Sequence, residues 1–139
     1  MTQTAKNSRS PLKIVTIVVA VIVVILFAAA AGEIRGASQG YSSEYDTRDY
    51  IYPAESGRFG QLYDVTIRDM SRDADFSTEE AECRALAFYY EQAVLEHAYR
   101  VAGDDAKADE FAQRMSEYES ELGSMSSKAE AARKAVATN

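Results

Sequence analysis

Eighteen consecutive residues, Ile14 to Ala31 (IVTIVVAVIVVILFAAAA), carry no charge and one polar side chain, Thr16. At about 1.5 Å per residue such a helix is about 27 Å long, and Leu12 and Gly32 bring it close to the ~30 Å of bilayer hydrocarbon. The β-branched run is a mediocre helix former in water. In lipid, every backbone N–H and C=O must pair within the segment, so a helix is the only single-pass solution. A transmembrane helix over residues 12–32 is therefore expected, with Lys13 lifting its ammonium to the headgroups along its alkyl stem.

Charge then orients the segment. All 22 acidic residues follow Ala31, whereas Lys6, Arg9 and Lys13 precede it, which leaves residues 32–139 with a net charge of −10. The positive-inside rule places residues 1–11 in the cytoplasm and the acidic remainder outside it, at the cell membrane. A cleavable secretory signal is the alternative, with Ala28 to Gly32 offering small residues for cleavage near Ala31. Either way the acidic part faces away from the cytoplasm. So negative a surface repels phosphate backbones, and no nucleic-acid partner is expected.

Beyond the apolar run, residues 33–57 read as a tyrosine-rich linker broken by Gly36, Ser38, Gly40, Ser42, Ser43, Ser56 and Gly57. Within it Thr47–Tyr52 could make one helical turn that Pro53 ends. Residues 58–123 then take a helical period. Phe59, Leu62, Tyr63, Thr66, Ile67 and Met70 follow the i, i+3, i+4 pattern, predicting a helix over about 58–72. Ser77-Thr78-Glu79-Glu80 has the form of a capping box and opens a helix to about Ala102. Its expected inner stripe is Cys83, Leu86, Ala87, Tyr90, Ala93, Val94, His97, Ala98 and Val101. Gly103 supplies a left-handed stop, and Asp104 or Asp105 starts the next helix, whose apolar face is Ala108, Phe111, Ala112, Met115, Tyr118 and Leu122. The short link makes the two helices an antiparallel hairpin. Residues 124–139 form an alanine-rich helix or tail, opened by a second capping box at Ser127–Glu130 and expected to fray.

The hairpin resembles a tetratricopeptide repeat over residues 92–120. Leu95 and Tyr99 keep that family's spacing, Gly103-Asp104 lie at the turn and Ala108 is in the second helix. Gln92 stands where the family has Trp, Glu96 where it has Gly, and Ser120 where it has Pro. The 34-residue shift finds no second copy. The resemblance implies a repeat-like helical hairpin inside an all-α fold: a transmembrane helix followed by a small three- to four-helix bundle.

Candidates for chemistry are few. A single Cys forms no internal disulfide and a single His builds no multi-histidine metal site. Cys83 and His97 share one predicted helix about 21 Å apart, too far for a nucleophile–base pair. Asp73, Asp75, Ser77 and Glu79 start like a calcium loop, but Thr78 replaces its glycine and Arg84 its bidentate glutamate. No catalytic, cofactor or metal site is expected, and no small-molecule substrate is evident. The expectation is a single-pass membrane-anchored protein displaying an acidic helical interaction domain to an unidentified protein partner. Tyr50, Tyr52, Tyr89, Tyr90 and Tyr99 are the candidate aromatic anchors. A small accessory subunit of a larger membrane complex is the other reading.

Overall fold

The computed structural model describes residues 11–33, 47–70 and 75–138, with the side chains of the first helix described over Leu12–Ile25. These residues form six α-helices: α1 (Pro11–Glu33), α2 (Arg48–Ser56), α3 (Phe59–Arg68), α4 (Thr78–Ala102), α5 (Asp105–Glu119) and α6 (Ala129–Ala137). A 3-10 turn, Gly123–Lys128, precedes α6. The chain is all-α, with no strand among the described residues.

α4 is the axis around which the others pack: α1, α2, α3, α5 and α6 all lie against it. Its start is the expected capping box. Ser77 N donates to Glu80 Oε2 at 2.7 Å and Glu80 N donates to Ser77 Oγ at 3.3 Å, which satisfies two otherwise unpaired donors. Its end is the expected glycine stop, with Gly103 at φ 81°. There Gly103 N donates to Arg100 O and Asp104 N to Tyr99 O, the paired bonds of a Schellman motif. The Asp104 side chain then accepts from Lys107 N and opens α5. Between these caps α4 is buried on more than one stripe: Cys83, Leu86, Ala87 and Ala98 as expected, and Ala85, Tyr89 and Gln92 besides.

Several expectations need correction. The linker over 33–57 gives way at its C-terminal end to α2, and Pro53 lies inside that helix instead of ending it. Tyr50, Pro53 and Ala54 fall at i, i+3 and i+4 and are all buried, so packing of this face offsets the one hydrogen bond that Pro53 cannot donate. Ile67, Met70 and Val101 are 42%, 58% and 49% exposed instead of core. At α3 the buried face runs through Leu62, Val65, Thr66 and Asp69, so Ile67 and Met70 fall off it; the buried Asp69 carboxylate accepts from Tyr50 Oη at 3.2 Å and Arg68 Nε at 3.0 Å. The second capping box does not form. Residues 123–128 turn in a 3-10 helix, Met125 is buried, and α6 begins after Lys128 with no side-chain cap. Nor is α6 a loose tail, since Ala132 and Val136 sit in the core one turn apart. Among the described residues the bundle beyond α1 thus has five α-helices, not three or four.

α1 coincides with the segment expected to cross the membrane, and its described side chains split into two apolar faces. Val18 and Ile25 are buried and Ile14, Ile17, Val21 and Ile22 half-buried, at the i, i+3, i+4 spacing of one helix face against α4 and α3. The opposite face is exposed. Among the described residues, no helix is long and apolar enough to cross a membrane.

Candidate functional site

Burial removes three of the five candidate aromatic anchors from the surface. Tyr50, Tyr89 and Tyr90 are 0%, 1% and 5% exposed, so they are core rings and not protruding aromatic anchors. Burial, reinforced by the neighbouring Asp69 carboxylate, pushes the Tyr50 hydroxyl up to about 12. Tyr89 is shifted upward for the same first reason, burial. Tyr99 is half-buried, stacked on Phe111 across the α4–α5 hairpin with ring centroids 5.4 Å apart. Tyr52 alone of the five is mostly exposed, with the Arg58 guanidinium 5.3 Å from its ring centre.

Polar chemistry does not converge. Cys83 is fully buried, and burial together with Glu79 and Glu82 pushes its thiol up to about 12, which suppresses the thiolate a nucleophile needs. His97 lines a shallow groove of about 290 Å³ between α4 and α6, beside Glu96, Glu130 and Lys134. A neighbouring groove of about 470 Å³, lined by Tyr89, Glu119, Leu122 and Arg133, runs along the start of α6. Neither groove holds a nucleophile with a base. Among the described residues, no group of three or more His, Cys, Asp or Glu could hold a metal ion. Asp73 of the calcium-like run lies outside the described residues, as do Tyr41 and Tyr45 of the linker.

A cluster of ion pairs lies at the α4–α5 turn. Arg100 is held by three carboxylates: Glu96 at 2.9 Å, Asp109 at 3.1 Å and Asp105 at 3.5 Å. Hydrogen bonding to Glu96 and Asp109 keeps its pKa above the ordinary arginine value. Asp105 and Asp109 remain 77% and 73% exposed, so this end of the hairpin presents net negative charge.

The surface least like that of an ordinary water-exposed helix is the outer face of α1. Leu12, Val15, Val19, Val23 and Val24 are 43–76% exposed and follow one another at i+3 or i+4 intervals, apart from the adjacent pair at the end. They form an apolar row along a helix whose other face is already occupied by the domain. Sequence alone could not separate the two faces, because α1 carries no polar side to mark which one the domain covers.

No family model matches this chain, and no curated protein or solved structure matches it.

Proposed function

We propose that this chain is a membrane-anchored protein that carries an acidic helical interaction domain outside the cytoplasm. The observation that carries the reading is the uncovered apolar row on α1, Leu12 to Val24, most of it within the uncharged run Ile14 to Ala31. Exposed contiguous apolar surface of this kind marks a site for lipid or protein. The flanking charges favour lipid. Lys6, Arg9 and Lys13 suit an anionic cytoplasmic headgroup layer, and the net charge of −10 after Ala31 keeps the domain off such a layer.

Retention of α1 is favoured over cleavage near Ala31 because Val18 and Ile25 are part of the packed interior. The domain's role in binding rests on its displayed features: the acidic α4–α5 turn, the exposed Tyr52–Arg58 pair and a repeat-like hairpin in which small Ala108 is fully buried between helices. Charge complementarity points to a protein partner with a basic face. The test is fractionation of cells expressing the full chain, with intact-mass measurement and protease treatment from each side. An alkali-resistant membrane form of full mass, digested only from outside, is expected. A full-length chain in the aqueous fraction, or digestion from the cytoplasmic side, would overturn the reading. A mature chain lacking about its first thirty residues would replace it with the secreted form.

A further inference from the structure

We infer that α1 has two mutually exclusive seats, the alanine-floored groove of α4 and the lipid phase, and that the domain shelters α1 in the groove until lipid takes it. This rests on the membrane reading above. The groove is observed occupied: Val18 packs with fully buried Ala98 and Ala102, and Ile14, Ile17, Val21, Ile22 and Tyr99 close around them. Alanine at both floor positions lets the β-branched side chains of α1 approach the α4 backbone closely. The two seats exclude each other because of the charge carried elsewhere on α4. Arg100, two residues from both Ala98 and Ala102 and so on another face of the helix, is bound to Glu96, Asp105 and Asp109. An ion cluster of this size does not enter hydrocarbon, where each charge is costly. α1 therefore cannot carry α4 into a bilayer alongside it. Entry into lipid requires it to leave the groove, which then opens.

A disulfide tests this on the full chain carrying Val18→Cys and Ala98→Cys, formed by oxidation during refolding from the reduced, unfolded chain because both positions are buried once α1 docks. Cys83→Ala is added throughout so that only the introduced pair can join. Val24→Cys with Ala98→Cys is the outward-facing control, since Val24 is 55% exposed. Cross-linked and reduced proteins are then floated with vesicles of phosphatidylcholine and phosphatidylglycerol. The inner pair should cross-link and the control should not. Cross-linking should reduce the vesicle-bound fraction by about tenfold or more, as expected if only the released state binds. Ala98→Leu, which overfills the floor, should raise binding at limiting lipid. Equal flotation of the cross-linked and free forms overturns the exclusion, and so does failure of the inner pair to react. Absence of flotation in every form, with the cross-link formed, defeats the membrane reading and leaves the docked seat standing.

Discussion

Adjacent residues on α1 make a sharp test of its packing, because the fold treats them oppositely: Ile25 is 1% exposed and Val24 55%. Ile25→Ala removes a branched side chain from the interior cluster that contains Tyr50, Leu62 and Leu86. Buried Ile→Ala changes cost about 2–5 kcal/mol, of which the better helix propensity of alanine returns a few tenths. Val24→Ala gains the same propensity and loses little contact, so its net effect should lie within about 0.5 kcal/mol of zero. With a urea slope of about 1–3 kcal/mol per M, Ile25→Ala should lower the unfolding midpoint by about 1–2 M and Val24→Ala should leave it in place. Urea titrations of the full chain in lipid-free buffer, followed by far-ultraviolet circular dichroism, read both. A helix that does not pack against the domain would make the two variants indistinguishable. That result would refute the docking and the argument built on it.

The remaining expectations concern the domain itself. Ser77→Ala removes an acceptor of the capping box and should cost about 1 kcal/mol by the same urea assay. Phe111→Ala should cost less than the about 3–5 kcal/mol of a fully buried ring, because Phe111 is half-buried against Tyr99; a full-sized loss would show the hairpin tighter than described. Alkaline pH should destabilise the fold. The Cys83 thiol is raised from 9.0 to about 12, so the unfolded chain releases its proton first. That contribution is intact below about pH 9 and falls by up to about 1.4 kcal/mol per pH unit above it. Tyr50, raised from 10.0, joins from about pH 10. Cys83→Ala should flatten the decline between pH 9 and 10 in stability measured against pH, and an unchanged slope would contradict the assignment.

Features that depend on a few neighbouring residues were legible in the sequence. The Ser77–Glu80 capping box, the Gly103 stop and the Asp104 start all form as their local chemistry predicts. The same logic failed at Ser127–Glu130, because burial of Met125 draws that segment into a 3-10 turn before a cap can form. Tertiary demands also decide what periodicity cannot. α4 is covered by helices on several sides, so Tyr89 and Gln92, off the expected stripe, are as hidden as Leu86. In α2, a proline that reads as a stop is tolerated because Tyr50 and Ala54 gain a packed face with it. Candidate binding residues were the least legible. Tyrosine suits core and surface alike, and its position relative to helices distant in sequence decides between them.

The two faces of α1 set the direction of its preference. The groove covers one face only, and the row from Leu12 to Val24 stays in water at a cost of about 1 kcal/mol for each half-exposed side chain. Lipid covers both faces, and the inner row loses nothing by exchanging protein for hydrocarbon contacts. What opposes the move is re-exposure of the alanine floor and of the core beneath Ile25, a cost carried by the domain. Small floor residues keep that cost low, since an exposed alanine methyl forfeits far less than an exposed valine. A groove floored with leucines would gain more on docking and release α1 less readily. The alanines at 98 and 102 therefore allow close packing in water while keeping the floor's share of the release cost small.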